Sequence, residues 1–117
     1  CRQNCPSLVP SSPIIATYSI VAFDPGSGDL GVAVQSKYFG VGTVVPWAKA
    51  GVGAVASQAL ANLHYGPEAL ALLAAGNDAS HVVETLTAAD ERRSVRQLGM
   101  VDGQGRAAAH TGKDCLE

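Results

Sequence analysis

An α+β fold built on antiparallel strands is the architecture this sequence predicts, and three observations point to it. Val, Ile, Thr, Tyr and Phe crowd into short runs at 17–23, 30–34 and 43–45, separated by turn-forming residues. Leu and Val then recur at helical spacing between positions 60 and 86. A last pair of strand-like runs, 95–101 and 106–110, flanks the turn sequence Asp102-Gly103-Gln104-Gly105. Four strands, two helices and two more strands put the helices on one face of a sheet.

Residues 1–15 hold Pro and Ser without periodicity and read as a flexible lead-in, with the domain running from 16 to 117. The first strand is expected from about 14 to 24 and the second at 30–38. Between them Asp24-Pro25-Gly26 forces a reversal, since proline presets its φ and Gly26 and Gly28 accept positive values. If Asp24 and Asp29 flank the loop, Phe23 faces Leu30, Val21 faces Val32, Ser19 faces Val34 and Thr17 faces Ser36. A one-residue slip would set Gln35 or Lys37 beside Thr17 instead.

The third strand is expected at 43–48, where Pro46, lacking an amide donor, confines it to an edge. Trp47 is the largest apolar group and a natural lid on the core. A fourth strand at 51–57 alternates Gly and Ala with Val, leaving room for a helix or ligand to approach its backbone. Helical spacing then covers 58–64 and 67–75, interrupted at Gly66. Asp78 caps a second helix over 79–87, with Val82, Val83 and Leu86 as its apolar stripe. This arrangement leaves one sheet face and an edge uncovered, so it calls for more chain or a second subunit, and a homo-oligomer is expected.

Composition narrows the function. The 117 residues make one domain or part of one, and 47% hydrophobic against 15% charged residues marks a globular chain. Only 5% are aromatic while 13 are Gly, so the layers are filled by short side chains and lie close together. A net charge of −2 argues against a nucleic-acid binder. The basic knot of Arg92, Arg93 and Arg96, interleaved with Asp90 and Glu91, reads as a solvated, self-neutralising face. No apolar run reaches the roughly 18 residues that a membrane-spanning helix needs.

Cys1, Cys5 and Cys115 match neither a disulfide framework nor a zinc site, and no metal or organic cofactor is implied. Cys1 and Cys5 are compatible with a bridge or with inert thiols. The Cys-led, Pro/Ser-rich start also resembles a processed bacterial lipoprotein, which leaves the compartment open between cytoplasm and export. GSGDLG at 26–31 precedes a strand rather than a helix and is no phosphate loop.

Hydroxyls carry the candidate chemistry. Thr17, Ser19, Ser36 and Lys37 share the open end of the first hairpin, and Ser57 and Gln58 sit where a strand is expected to become a helix, with Asn62 just beyond. A hydroxyl becomes nucleophilic beside an amine of lowered pKa, whether a desolvated Lys or the residue's own α-amine. A free backbone amide at a helix start stabilises an oxyanion.

The run ATYSIVAFDPGSGDLGVAVQSKYFGVGTVVPWAKAGVGAVASQALANLHYG, with the later RQLGMVDGQGRAAAHTGKDC, resembles the bacterial domain-of-unknown-function family numbered one thousand and twenty-eight. That family is placed in the N-terminal-nucleophile (Ntn) hydrolase superfamily. The resemblance covers the N-terminal part of longer members, so it implies an incomplete Ntn-hydrolase-like αββα sandwich of antiparallel sheets. It further implies an amide hydrolase acting on a small-molecule or peptide-like substrate. The nucleophile position corresponds to Thr17, with Ser19 the next inward hydroxyl. Lys37 or Lys49 would supply the lysine, and hairpin geometry prefers Lys37. The oxyanion amide maps near Ser57 or Gln58, and Ser36, Gln58 and Asn62 are the expected substrate contacts. Because Thr17 is internal here, a free amine on it requires removal of residues 1–16. The alternative is a non-catalytic ligand-binding or assembly module on the same fold.

Overall fold

The computed structural model describes residues 17–115. The expected lead-in, the Cys1 and Cys5 alternatives and the lipoprotein-like start lie outside the described residues. The first hairpin pairs β1 (Thr17–Phe23) with β2 (Leu30–Ser36) in the register its turn predicts, from Phe23 opposite Leu30 to Thr17 opposite Ser36. The Asp24 amide donates to the Asp29 carbonyl at 2.9 Å. The Asp24 carboxylate in turn accepts the Gly26 amide at 2.8 Å, while Gly28 takes a φ of 76°. The turn closes on itself, so register needs no help from the rest of the chain.

A separate four-stranded antiparallel sheet has the order β3 (Pro46–Lys49), β4 (Gly53–Ala59), β5 (Arg96–Asp102) and β6 (Ala107–Thr111). Pro46 does lie in an edge strand. That strand starts later than the sequence suggests, because positive φ at Gly40 begins a 3-10 turn over Val41–Thr43. The Thr43 hydroxyl bonds back to the Gly40 carbonyl there at 2.7 Å.

Helices α1 (Tyr65–Ala74) and α2 (Ala79–Ala88) cover one face of this sheet, α1 over β3 and β4 and α2 over β5 and β6. Val55, Leu98 and Met100 from the sheet meet Tyr65, Leu73, Val82 and Leu86 from the helices in one buried cluster. Asp78 caps α2 as expected, accepting the His81 amide at 2.8 Å. A Cβ on Gly53 would stand 2.6 Å from Leu73, so the small residues of β4 do admit a helix.

The helix expected at 58–64 does not form. Strand β4 continues through Gln58 and Ala59, which pair with Gln97 and Arg96, and Ala59 at φ 65° then breaks the chain direction. Leu60 and Leu63, whose spacing suggested a helix, are exposed. Gly66 does not interrupt α1 either. It lies buried in the first turn with the Trp47 ring against it, where no side chain has room.

The opposite face of the four-stranded sheet, expected to be uncovered, is covered by the first hairpin, β1 crossing β4 and β5 and β2 crossing β3 and β4. Alternation turns Thr17, Ser19, Val21 and Phe23 inward, and Phe23 packs on Gly105. Ala54 and Ala56 face them from β4. Short side chains there allow two sheets to approach as closely as the composition implies. Uncovered apolar surface is found instead on the hairpin's outer face, at Tyr18 and Ile20. Two antiparallel sheets and two helices thus fit an αββα-type sandwich of the α+β class.

Candidate functional site

Two polar clusters lie on opposite faces of the four-stranded sheet, near the end where β4 finishes. The first occupies the space between the sheets. Thr17 Oγ1 lies 2.7 Å from Ser36 Oγ, its cross-strand partner. The Ser36 oxygen also accepts the Tyr38 amide at 3.0 Å. Ser19 Oγ donates to Gln58 Oε1 at 2.9 Å, and Gln58 Nε2 donates both to the Thr17 carbonyl at 3.1 Å and to Gln97 Oε1 at 2.6 Å. Gln97 reaches onward to the Thr111 hydroxyl at 3.3 Å. Gln58, itself buried, therefore ties the start of β1 to two strands of the larger sheet.

Sequence reasoning brings Thr17, Ser19, Ser36 and Gln58 together, and so does the structure. Lys37 follows Ser36 directly and is exposed beside that group. Lys49 lies at the far end of β3, paired with Gly53. Ser57 and Asn62 do not join the cluster. Successive strand residues point to opposite faces, so Ser57 turns toward the helices, opposite Leu98 of the core. Its amide donates to the Val45 carbonyl at 3.1 Å and is not free to meet an oxyanion. Gln97 was not foreseen. Its place opposite Gln58 follows only once β4 is seen to extend past Ser57.

The second cluster centres on Asp90, whose Oδ2 accepts from Tyr65 Oη at 2.7 Å, Arg96 Nε at 2.9 Å and Asn62 Nδ2 at 3.4 Å. Oδ1 accepts the Arg92 amide at 2.8 Å, and the Arg96 guanidinium also binds the Leu60 carbonyl. Burial disfavours ionising Asp90. Hydrogen bonds from Tyr65, Arg92 and Arg96, with the Arg96 charge, outweigh it and hold the carboxyl well below the usual range. Burial and then the Asp90 carboxylate push the Tyr65 hydroxyl well above its ordinary value. Arg96 is thus a buried partner rather than part of a solvated knot, while Arg92 and Arg93 are exposed.

Among the described residues, no three His, Cys, Asp or Glu side chains gather as a metal site would require, and no helix is long and apolar enough to cross a membrane.

One family model, described as a family of unknown function (DUF1028), matches residues 17–117. The chain belongs to this family. A crystal structure of another DUF1028 protein, SPO2555 from Silicibacter pomeroyi, is 35% identical and superposes with a TM-score of 0.83. The match covers 86% of this chain and 45% of that one, so the chain spans less than half the length of its DUF1028 relative. No curated protein matches it. The DUF1028 match begins at Thr17, the first residue of β1 and the centre of the first cluster.

Proposed function

We propose that the Thr17 cluster is the nucleophilic centre of an Ntn-type amide hydrolase, as the resemblance to that superfamily implies. The observation that carries this reading is the position of Thr17. It opens the first strand, turns its hydroxyl inward at the open end of the hairpin, and has its carbonyl held by Gln58. In the intact chain the nitrogen of Thr17 is an amide and has no basicity to offer. Cleavage after residue 16 converts it to an α-amine on the same residue as the hydroxyl.

The chemistry then balances without a cofactor. Thr17 Oγ1 bonds to the substrate carbonyl carbon while its proton passes to the α-amine. The C–N bond breaks, the leaving amine takes that proton, and water hydrolyses the resulting ester to restore the hydroxyl. Lys37 supplies positive charge to the developing oxyanion or serves as an alternative base. The committed amide of Ser57 takes no part.

Mass spectrometry of the protein produced from its full reading frame tests this. A chain beginning at Thr17, acylated there by a β-lactone and left unlabelled after Thr17→Ala, is the expected result. An uncut junction before Thr17 overturns it.

The rival reading, a non-catalytic module that assembles with itself, draws on exposed Tyr18 and Ile20, which are 66% and 65% accessible. Sedimentation decides it: a self-associating species that dissociates after Tyr18→Ser favours assembly, and a stable monomer at high concentration counts against it.

A further inference from the structure

Three side chains form a row across the four-stranded sheet on its hairpin side: Gln58 of β4 stands opposite Gln97 of β5, and Gln97 opposite Thr111 of β6. The row has one polarity. The Thr17 carbonyl can only accept, so Gln58 turns its Nε2 toward it, at 3.1 Å. The second hydrogen of that nitrogen goes to Gln97 Oε1 at 2.6 Å, which leaves Gln97 Nε2 to face the Thr111 hydroxyl at 3.3 Å. Gln58 Oε1 is left for Ser19, whose hydroxyl donates to it at 2.9 Å. Both hydrogens and the oxygen of the Gln58 carboxamide are thus engaged, and Gln97 holds the one hydrogen that β1 does not.

We infer that Gln97 is a positioning residue for Thr17, acting through Gln58. The inference rests on the hydrolase reading and adds to it the means by which the nucleophile is held still. Cleavage after residue 16 makes Thr17 a chain terminus, and termini fray unless tied down. The Thr17 carbonyl belongs to the peptide bond with Tyr18, so the hold of Gln58 on it survives cleavage. Gln58 is a long side chain with several torsions to fix, and it is buried, so an Nε2 hydrogen without an acceptor is costly there. Without Gln97 the carboxamide turns away to find another acceptor and releases the Thr17 carbonyl. Thr17 Oγ1 then loses its alignment with the substrate carbonyl, which costs rate rather than affinity.

Acylation of Thr17 by the β-lactone, in protein produced from the full reading frame, separates rate from affinity when followed over lactone concentration on the alkaline plateau, where the α-amine is neutral. Gln97→Met keeps the shape of the side chain without its acceptor and is expected to lower the maximal rate constant about tenfold, with the half-saturating concentration unchanged. Gln97→Asn, too short to reach Gln58, is expected to show the same loss. Gln97→Glu keeps an oxygen facing Gln58 Nε2 and is expected to restore the parent rate. NMR exchange of the Gln58 side-chain amide hydrogens is expected to quicken about tenfold in the Met and Asn variants and not in the Glu variant. Met and Asn variants labelled as fast as the parent, a loss that falls on the half-saturating concentration alone, or a Glu variant as slow as the other two each overturn the inference. Failure of the underlying reading looks different: the parent itself stays uncut and unlabelled, and the positioning role falls with it even where the Gln58 exchange rates differ as expected.

Discussion

The two faces of the four-stranded sheet solve the same problem, polar groups taken out of water, in opposite ways. On the helix side an ionised carboxylate is closed off by a tyrosine, an arginine, an asparagine and a backbone amide, and both of its oxygens are occupied. On the hairpin side the groups are neutral hydroxyls and amides, with Thr17 and Ser36 at an open strand end. A buried charge that lost its partners would be costly, so the first arrangement locks the loop from Leu60 to Asn62 against the link between α2 and β5. Neutral hydroxyls can exchange partners at small cost, and that freedom is what a reacting group needs. The ionic cluster ties the structure together, and the neutral one keeps the freedom to exchange partners.

That contrast is sharpest in stability. Asp90→Ala strands the Arg96 guanidinium and the Tyr65 hydroxyl at once, and a loss of about 2–3 kcal/mol is expected in urea unfolding. Gln58→Leu leaves only neutral groups unpaired, at Ser19, Gln97 and the Thr17 carbonyl, and should cost less, about 1–2 kcal/mol. If the second loss exceeded the first, the assignment of a structural and a chemical cluster would be reversed.

The same pair separates by pH. Asp90 binds its proton less readily in the folded chain than in the unfolded one. Its contribution is therefore complete above the ordinary carboxylate value of 3.8 and is lost as pH falls below it. Tyr65 holds its proton more tightly when folded, so its contribution is complete below 10.0 and is lost as pH climbs beyond. Unfolding followed across pH should show both limbs. Tyr65→Phe removes the alkaline limb, whereas Gln58→Leu leaves both unchanged.

The smallest effect concerns the lysines. Lys49→Ala, at the far turn, is expected to change neither stability nor labelling of Thr17, while Lys37→Ala slows that labelling. A reversal of the two would move the charged group of the site from the end of β2 to the end of β3.

Parts of this were legible before folding, and they share a feature. The Asp24–Asp29 turn carries its own hydrogen bonds, so the facing of Thr17 and Ser36 could be read from six residues. Pro46 announced an edge because it lacks a donor, and Asp78 announced a cap because its carboxylate reaches an amide three residues on. The stretch from Gln58 to His64 carries Leu60 and Leu63 at helical spacing, yet strand pairing of Gln58 and Ala59 with Gln97 and Arg96 wins. Arg96 is indistinguishable in sequence from its neighbours Arg92 and Arg93, since nothing in a run of charges tells which one is buried.

The amino-acid order determined the reversal at Asp24–Asp29 and put hydroxyls at the hairpin's mouth, because the turn is set by bonds between residues a few positions apart. Only the folded chain decided that Gln58 would face Thr17 and Ser57 would not, and that Asp90 would gather Tyr65 and Arg96. The Gln58 contacts join residues 39 to 41 positions apart in sequence. Partners at that separation are chosen by how sheets and helices stack, and no local pattern records the choice.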